Sequence, residues 1–263
     1  MISPMTNRRI ALITGVGRLN GIAPAVARRL AANHDLMLSG YLDYDREQGY
    51  ATEDRTEDLL AELRDLGARV EYRKADLGDT DAPAALVAQA VETYGGIDTL
   101  AAVHTHSVHT SLSTITAEQI DRHLGPNVRG TLLLVKAYAA AYTGSEPLGG
   151  YGGRVVMFSS GQRLGPMPNE LAYIASKGAI EALTLSLAAA VAKQGITVNA
   201  INPGPVDTGY STGESYEFVR KMFPSQRWGT PKDAANVVSW LCSAESGWVT
   251  GQVIDAQGGF GWA

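Results

Sequence analysis

Short apolar runs alternate along the chain with longer stretches in which apolar residues recur at helical spacing, the pattern of buried strands joined by helices. The first run, Ile10 to Thr14, is apolar at nearly every position rather than at every second one, which suits a strand covered on both faces. It leads into Gly15-Val16-Gly17-Arg18-Leu19-Asn20-Gly21 and an alanine-rich helix from Ile22 to Ala32. Leu36 to Ser39 is the second strand. The polar stretch Tyr41 to Thr56 reads as a long loop, and Asp58 to Leu66 as a helix. Val70 to Lys74 is the third strand, ending beside Asp76 and Leu77. Helix Ala82 to Tyr94, strand Thr99 to His104 and one helix from Ala117 to Tyr142 continue the alternation. Gly149 to Gly153 punctuates the chain before strand Arg154 to Phe158. Helix Leu171 to Lys193, strand Thr197 to Ile201 and a last strand at Val253 to Ile254 complete it.

This order predicts an α/β Rossmann fold: a single domain over residues 1–263, with about seven mostly parallel strands and helices on both faces. No internal repeat or linker marks a second domain. The segment from Asn202 to Trp228 breaks the alternation with Gly, Pro, Ser and aromatic residues. It follows the sixth strand, where an open sheet places its ligand loops, so 202–228 is the candidate substrate lid; a plain surface excursion is the other reading.

Composition narrows the function classes. A 45% hydrophobic share supplies a substantial core, and a formal net charge of -5 with scattered Lys and His offers no footprint for nucleic acid. Cys242 is the only cysteine, which excludes an intrachain disulfide or a cysteine-built zinc site and fits a reducing cytoplasm. The start MISPMTNRR has no apolar signal stretch. No run reads as long enough to span a bilayer; Leu183 to Ala192 is short and is preceded by Ser176, Lys177 and Glu181, so no membrane partner is expected.

The chemistry centres on Tyr173-Ile174-Ala175-Ser176-Lys177, with Ser160 upstream of its tyrosine. Four residues make about one helical turn, so Tyr173 and Lys177 share a face, and an ammonium beside a phenol favours phenolate. Ser160 can donate to a substrate oxygen while Tyr173 transfers the proton: a hydride-transfer site acting on a carbonyl or hydroxyl. The bland alternative makes these polar residues surface helix positions. In the glycine turn, Gly15, Gly17 and Gly21 let backbone N–H groups approach a pyrophosphate at the positive end of the next helix, although the spacing is not G-x-G-x-x-G and an ordinary tight turn would look similar. Arg18 offers charge to a 2′-phosphate, and no acid stands at Gly40 or Tyr41 to accept ribose hydroxyls, which favours NADP(H). NAD(H) stays open because Asp43 and Asp45 lie just beyond. Asp76 can accept from an adenine amino group or cap a helix. Asn127 can hold, with a local carbonyl, a water that links Lys177 to solvent, or can simply pack. In Asn202-Pro203-Gly204-Pro205-Val206-Asp207-Thr208 the prolines fix turns, Val206 can present backbone groups to a carboxamide, and Thr208 can donate near a phosphate.

Taken together, these motifs resemble the classical short-chain dehydrogenase/reductase family over nearly the whole chain, from Thr14-Gly15 through Tyr173-x-x-x-Lys177 to Ile254-Asp255-Ala256-Gln257-Gly258-Gly259. The lengthened glycine turn is similar to a 3-oxoacyl carrier-protein reductase-like branch. The resemblance implies a catalytic set of Asn127, Ser160, Tyr173 and Lys177. It implies cofactor contacts at Gly15, Arg18, Asn20, Gly21, Ile22, Asp76, Leu77, Tyr173, Lys177, Pro203, Gly204, Val206 and Thr208, with Gly15 and Gly21 safer than Gly17. It also implies a homodimer or homotetramer built through long helices. One departure stands out: Ala102-Val103-His104-Thr105 replaces the family's Asn-Asn-Ala-Gly and removes its stabilising amides.

His104, His106 and His109 are spaced like metal ligands, but a strand end followed by a loop does not make three imidazoles converge, and no metal site is expected. Phe218, Met222, Phe223 and Trp228 read either as a cover for substrate or as core, and Phe260 and Trp262 as closing a neighbouring subunit's pocket or not. Arg163, Arg220, Lys221 and Arg227 form either a basic rim for an acyl carrier or a set of solvated charges. The expected activity is NADP(H)-dependent reversible reduction of a ketone or 3-oxoacyl-like carbonyl, acyl thioesters included, to a secondary alcohol. The competing readings are an NAD-dependent secondary-alcohol dehydrogenase and a non-catalytic dinucleotide-binding scaffold.

Overall fold

A computed structural model describes residues 8–50 and 53–262. The amino-terminal residues 1–7, read above as lacking a signal stretch, lie outside the described residues. Strands β1 (Arg9–Thr14), β2 (His34–Gly40), β3 (Val70–Lys74), β4 (Thr99–Ala102), β5 (Gly153–Phe158), β6 (Ile196–Asn202) and β7 (Val253–Asp255) form one sheet in the order β3-β2-β1-β4-β5-β6-β7. Every neighbouring pair is parallel. The order reverses between β1 and β4, so the crevice above their carboxyl ends is where such a sheet binds a ligand.

Because both faces of the inner strands are covered, β2 and β4 to β6 are buried along their whole length and β1 from Ala11 onward. On one face Ile13, Leu36 and Leu38 pack with Val26 and Leu30 of α1 (Ile22–Leu30), Leu59 and Leu63 of α3 (Thr56–Asp65), and Val238 and Leu241 of α9 (Pro231–Leu241). On the other, Leu12, Met37 and Leu100 pack with Leu86 of α4 (Ala82–Tyr94), Leu134 and Tyr138 of α6 (Thr131–Ala141), and Ile180 and Ala188 of α7 (Leu171–Val191).

Five expectations change. The expected loop after β2 holds a short helix, α2 (Leu42–Glu47), started by two acids, Asp43 and Asp45, in its first turn. The single helix from Ala117 is three pieces: α5 (Ala117–Leu124), a π-helical turn over Gly125–Gly130, and α6. Pro126 lacks the N–H that the α ladder needs there, and Gly130 lets the turn close on Leu77, whose carbonyl oxygen would lie 2.5 Å from an added Cβ. Strand β4 stops at Ala102, which leaves His104 in the following loop. Two helices were missed: α8 (Gly213–Lys221) inside the candidate lid, and α9, which opens with a capping box between Thr230 and Asp233 and a proline in its first turn. Finally, Leu171–Gln194 is 24 residues long with mean hydropathy 1.4, long and apolar enough to cross a membrane by those two measures. In the fold its Ser176, Lys177 and Thr184 are buried, and the helix packs on β6.

Candidate active site

A cavity of about 1820 Å³ runs along the carboxyl ends of the strands. That exceeds the ~300–1,000 Å³ of a typical small-ligand pocket and is large enough for a dinucleotide with a second molecule beside it. Gly15, Arg18, Gly21, Ile22, Asp76, Leu77, Ser160, Tyr173, Pro203, Gly204, Val206 and Thr208 all line it. Gly17, ranked below its neighbours from sequence, lines it too.

The cradle at the end of β1 fits a diphosphate. Gly15 has φ +81°, and a Cβ there would lie 2.7 Å from the His104 backbone N, so only glycine lets the turn pass beneath the β4 loop. Gly21 caps α1 with no side-chain bond, and no acid sits in the helix's first turn. The helix therefore presents uncapped N–H groups and its positive end to the cavity. Asn20 does otherwise than expected: it is absent from the cavity wall, and its Nδ2 donates to Thr208 O at 3.0 Å, tying the glycine turn to the loop after β6.

Tyr173 and Lys177 stand one turn apart near the start of α7, with Lys177 Nζ 5.7 Å from the phenol ring centroid. Lys177 lies behind the wall, 3% exposed, donating to Phe158 O at 3.0 Å. Burial governs both groups. It pushes the Tyr173 phenol up to about 12, against the opposing pull of the Ser160 side chain, and draws the Lys177 ammonium down to about 8. In the ligand-free protein burial thus moves the phenol in the direction opposite to the phenolate expected beside a cation. Tyr173 is a protonated phenol at neutral pH, suited to give a proton to a carbonyl oxygen.

Asn127 sits in the π turn, 1% exposed. Its Oδ1 accepts from His106 N at 2.7 Å, and its Nδ2 donates to His106 O and Ser176 Oγ, each at 2.9 Å. Both amide hydrogens are engaged, so this amide clamps the β4 loop to α7.

The departure after β4 is repaired by His104. Its Nε2 faces Pro126 O at 3.0 Å and Thr131 Oγ1 at 3.3 Å, and its Nδ1 faces Thr14 Oγ1 at 2.7 Å. A carbonyl can only accept, so Nε2 carries the proton and Nδ1 accepts from Thr14. Burial holds this imidazole neutral, down to about 4. One ring thereby joins β1, the π turn and α6. His106 instead meets the His123 ring edge-on at 4.6 Å, and His123 accepts from Val108 N at 3.1 Å. Exposed His109 faces the cavity. Among the described residues no group of three or more His, Cys, Asp or Glu is placed to hold a metal ion.

The basic rim does not form. Arg163 pairs with Asp255 and Glu181, Arg220 with Glu217, and Arg227 with Asp233, and none of these arginines nor Lys221 lines the cavity. Phe223 and Trp228 are core, Trp228 stacking on Tyr216 at 4.9 Å. Phe218, Met222 and Phe260 do reach the cavity, whereas Trp262 is exposed. Sequence reading missed Tyr44, Tyr50, Glu170 and Tyr210 on the wall, and weighed Asp45 only in the choice of dinucleotide. For the first two, the acids opening α2 were the available signal.

Residues 15–261 match the family model described as Enoyl-(Acyl carrier protein) reductase. An uncharacterized oxidoreductase of Bacillus subtilis, YjdA, is 36% identical over 97% of this chain and 98% of its own length. A blue fluorescent protein from a metagenomic library, solved in complex with NADPH, superposes with TM-score 0.82 at 29% identity, covering 96% of this chain and 97% of that one. A 3-oxoacyl-[acyl-carrier protein] reductase of Brucella melitensis gives TM-score 0.80 at 29% identity, covering 97% and 98%. With the Tyr173/Lys177 pair, the glycine cradle and the parallel seven-stranded sheet already in place, these matches mean that the chain belongs to the short-chain dehydrogenase/reductase family, oxidoreductases that interconvert CH–OH and C=O with NAD(P).

Proposed function

We propose that this protein uses NADP(H) to reduce a free ketone reversibly to a secondary alcohol. The observation that carries the reading is Tyr173 on the cavity wall beside Ser160, with Lys177 one helical turn behind it. The dinucleotide, when bound, supplies the hydride to the carbonyl carbon. Tyr173 gives its proton to the carbonyl oxygen, Ser160 donates a hydrogen bond to that oxygen, and the Lys177 charge steadies the tyrosinate left behind. Asn127 acts at one remove, fixing the His106 backbone and Ser176 around the site. Oxidation runs the same proton path in reverse.

Arg18 on the wall, with no acid at Gly40 or Tyr41, supports the phosphorylated dinucleotide, and the NADPH-bound relative is in line with it. The neutralised arginines favour a free ketone over one tethered to an acidic carrier. The apolar wall from Leu164, Met167, Phe218 and Met222 suits a hydrophobic substrate, with 202–228 as its lid. Leu185, 67% exposed, with Ala182 and Ala189 on the outer face of α7, supports self-association into a dimer or tetramer, and the single buried thiol of Cys242 is compatible with a reducing cytoplasm.

The test is turnover of a panel of free ketones and secondary alcohols with NADPH and NADH. Tyr173→Phe should lower turnover at least ~100-fold while dinucleotide binding persists. Unchanged turnover in that variant would reject the assignment, and no turnover with any pair would favour the scaffold reading.

A further inference from the structure

The substrate end of the cavity carries one charge that the proton-transfer geometry does not use. From Ser160 onward, Glu170 is the only charged side chain on the wall among the described residues. Around it the wall is apolar and aromatic, with Leu164, Met167, Tyr210, Phe218 and Phe260. The arginines of the same part of the chain are held elsewhere by other acids, as described above, and none of them balances Glu170.

The backbone around Glu170 holds it in place. The residue immediately precedes the first turn of α7, and its side chain makes no capping hydrogen bond. A parallel bridge joins it to Thr110 in the loop after β4. Thr110 N donates to Asn169 O and Thr110 O accepts from Leu171 N, both at 2.8 Å, while Thr110 Oγ1 accepts from Ala172 N at 2.9 Å. Thr110 is fully buried, so these bonds fix the chain on either side of Glu170. A side chain mounted on such a segment has little left to reorganise when substrate arrives. Glu170 precedes Tyr173 by three residues, the spacing at which side chains on one helix face stand roughly 5–6 Å apart at Cβ. The phenols register that proximity: added to burial, the Glu170 charge pushes both Tyr173 and Tyr210 up.

A carboxylate accepts hydrogen bonds and donates none, and losing its water without gaining a partner is costly. An apolar ketone seated against Leu164 and Met167 displaces that water and supplies no partner. A ketone with a cationic nitrogen near its carbonyl does supply one, and the rings of Tyr210, Phe218 and Phe260 suit the same charge.

We propose that Glu170 selects ketones bearing a cationic nitrogen a few bonds from the carbonyl, its carboxylate pairing with the nitrogen while Ser160 and Tyr173 act on the oxygen. The inference rests on the ketone-reductase reading above and names a substrate class for it. The nitrogen takes no part in the chemistry: the carbonyl carbon receives the hydride, its oxygen receives the Tyr173 proton, and the product is the corresponding amino alcohol.

The probes are acetonyltrimethylammonium and methyl neopentyl ketone, which differ only in a positive nitrogen for a neutral carbon. Initial rates, with the dinucleotide that supports turnover, give kcat/KM for each in the wild-type protein and in Glu170→Gln, which keeps the size of the side chain and removes its charge. The ammonium activates its own carbonyl equally in both proteins, so the quantity read is the cation-to-isostere ratio compared between them. The expected result is a ratio about 10-fold lower in Glu170→Gln, equivalent to about 1.4 kcal/mol, with part of the preference kept in Glu170→Asp. A purely structural role, or an effect through Tyr173 alone, would move both substrates together. A ratio unchanged by Glu170→Gln therefore overturns the proposal, as it would if the carboxylate served substrate hydroxyls, which neither probe has. If Glu170→Gln folds poorly by thermal melting, the wild-type ratio against rising salt carries the test: it should fall as ions screen the carboxylate, and a salt-independent ratio overturns the proposal. Reduction of other ketones but of neither probe overturns it too, whereas failure with the whole ketone panel would overturn the functional reading beneath it.

Discussion

Lys177→Met should stabilise the ligand-free protein at neutral pH while removing its activity. The Lys177 side chain is 3% exposed, and burial draws its ammonium from 10.5 to about 8. At about 1.4 kcal/mol per tenfold change in proton affinity, that drop amounts to about 3 kcal/mol of strain in the charged form. Below pH 8 the lysine is protonated both folded and unfolded, so the folded protein carries the whole penalty. Between pH 8 and 10.5 the folded protein gives up the proton while the unfolded chain keeps it, and stability rises with pH; above 10.5 the penalty is gone. Methionine carries no charge, but it abandons the bond to Phe158 O, worth about 1 kcal/mol at every pH. The variant should therefore be about 2 kcal/mol more stable than wild type at pH 7, and this advantage should shrink by about 3 kcal/mol by pH 10.5, reversing its sign. Urea denaturation at a series of pH values measures the difference directly, because tyrosine ionisation is shared by both proteins. A gap independent of pH would refute the claim that burial governs this ammonium.

Two further outcomes follow from the same geometry. Gly15→Ala puts a methyl against the His104 backbone at a positive φ; it should cost at least ~1 kcal/mol of stability and weaken dinucleotide binding, as read by melting temperature and calorimetry, and a variant matching wild type in both would contradict the close approach. His34, His104 and His106 are each held down to about 4 by burial, so below pH 6.5 the unfolded chain takes protons that the folded one refuses. Stability should fall as pH drops from 6.5 toward 4, and His104→Gln should flatten part of that slope in melts at pH 7 and pH 5.

Much of the sheet was legible because a strand covered on both faces runs largely apolar, as in Ile196–Asn202, and helix Ala82–Tyr94 was read with the boundaries it has. The Tyr173/Lys177 pairing was legible because helical spacing alone puts both on one side. What escaped depends on contacts distant in sequence. No local pattern says that Asn127 clamps His106, that His104 stands in for missing amides, or that Asp45 lies on Gly17. The upward shift of the Tyr173 phenol was hidden for the same reason: proximity of a cation is visible in a motif, whereas desolvation depends on how the whole chain packs. Helix α9 is the exception, since Thr230-Pro231-Lys232-Asp233 announces its start in the sequence itself.

The wide turn at Gly125–Gly130 works as a phase shifter between α5 and α6. One surplus residue advances the helical wheel by roughly 100°, so the same rod can aim Asn127 at His106 and Ser176 and, a few residues on, Leu134 and Tyr138 into the layer beneath the sheet. Trimming a single residue there would leave a longer and more regular rod, yet every side chain downstream would face the wrong direction: regularity at this point is incompatible with serving two surfaces at once.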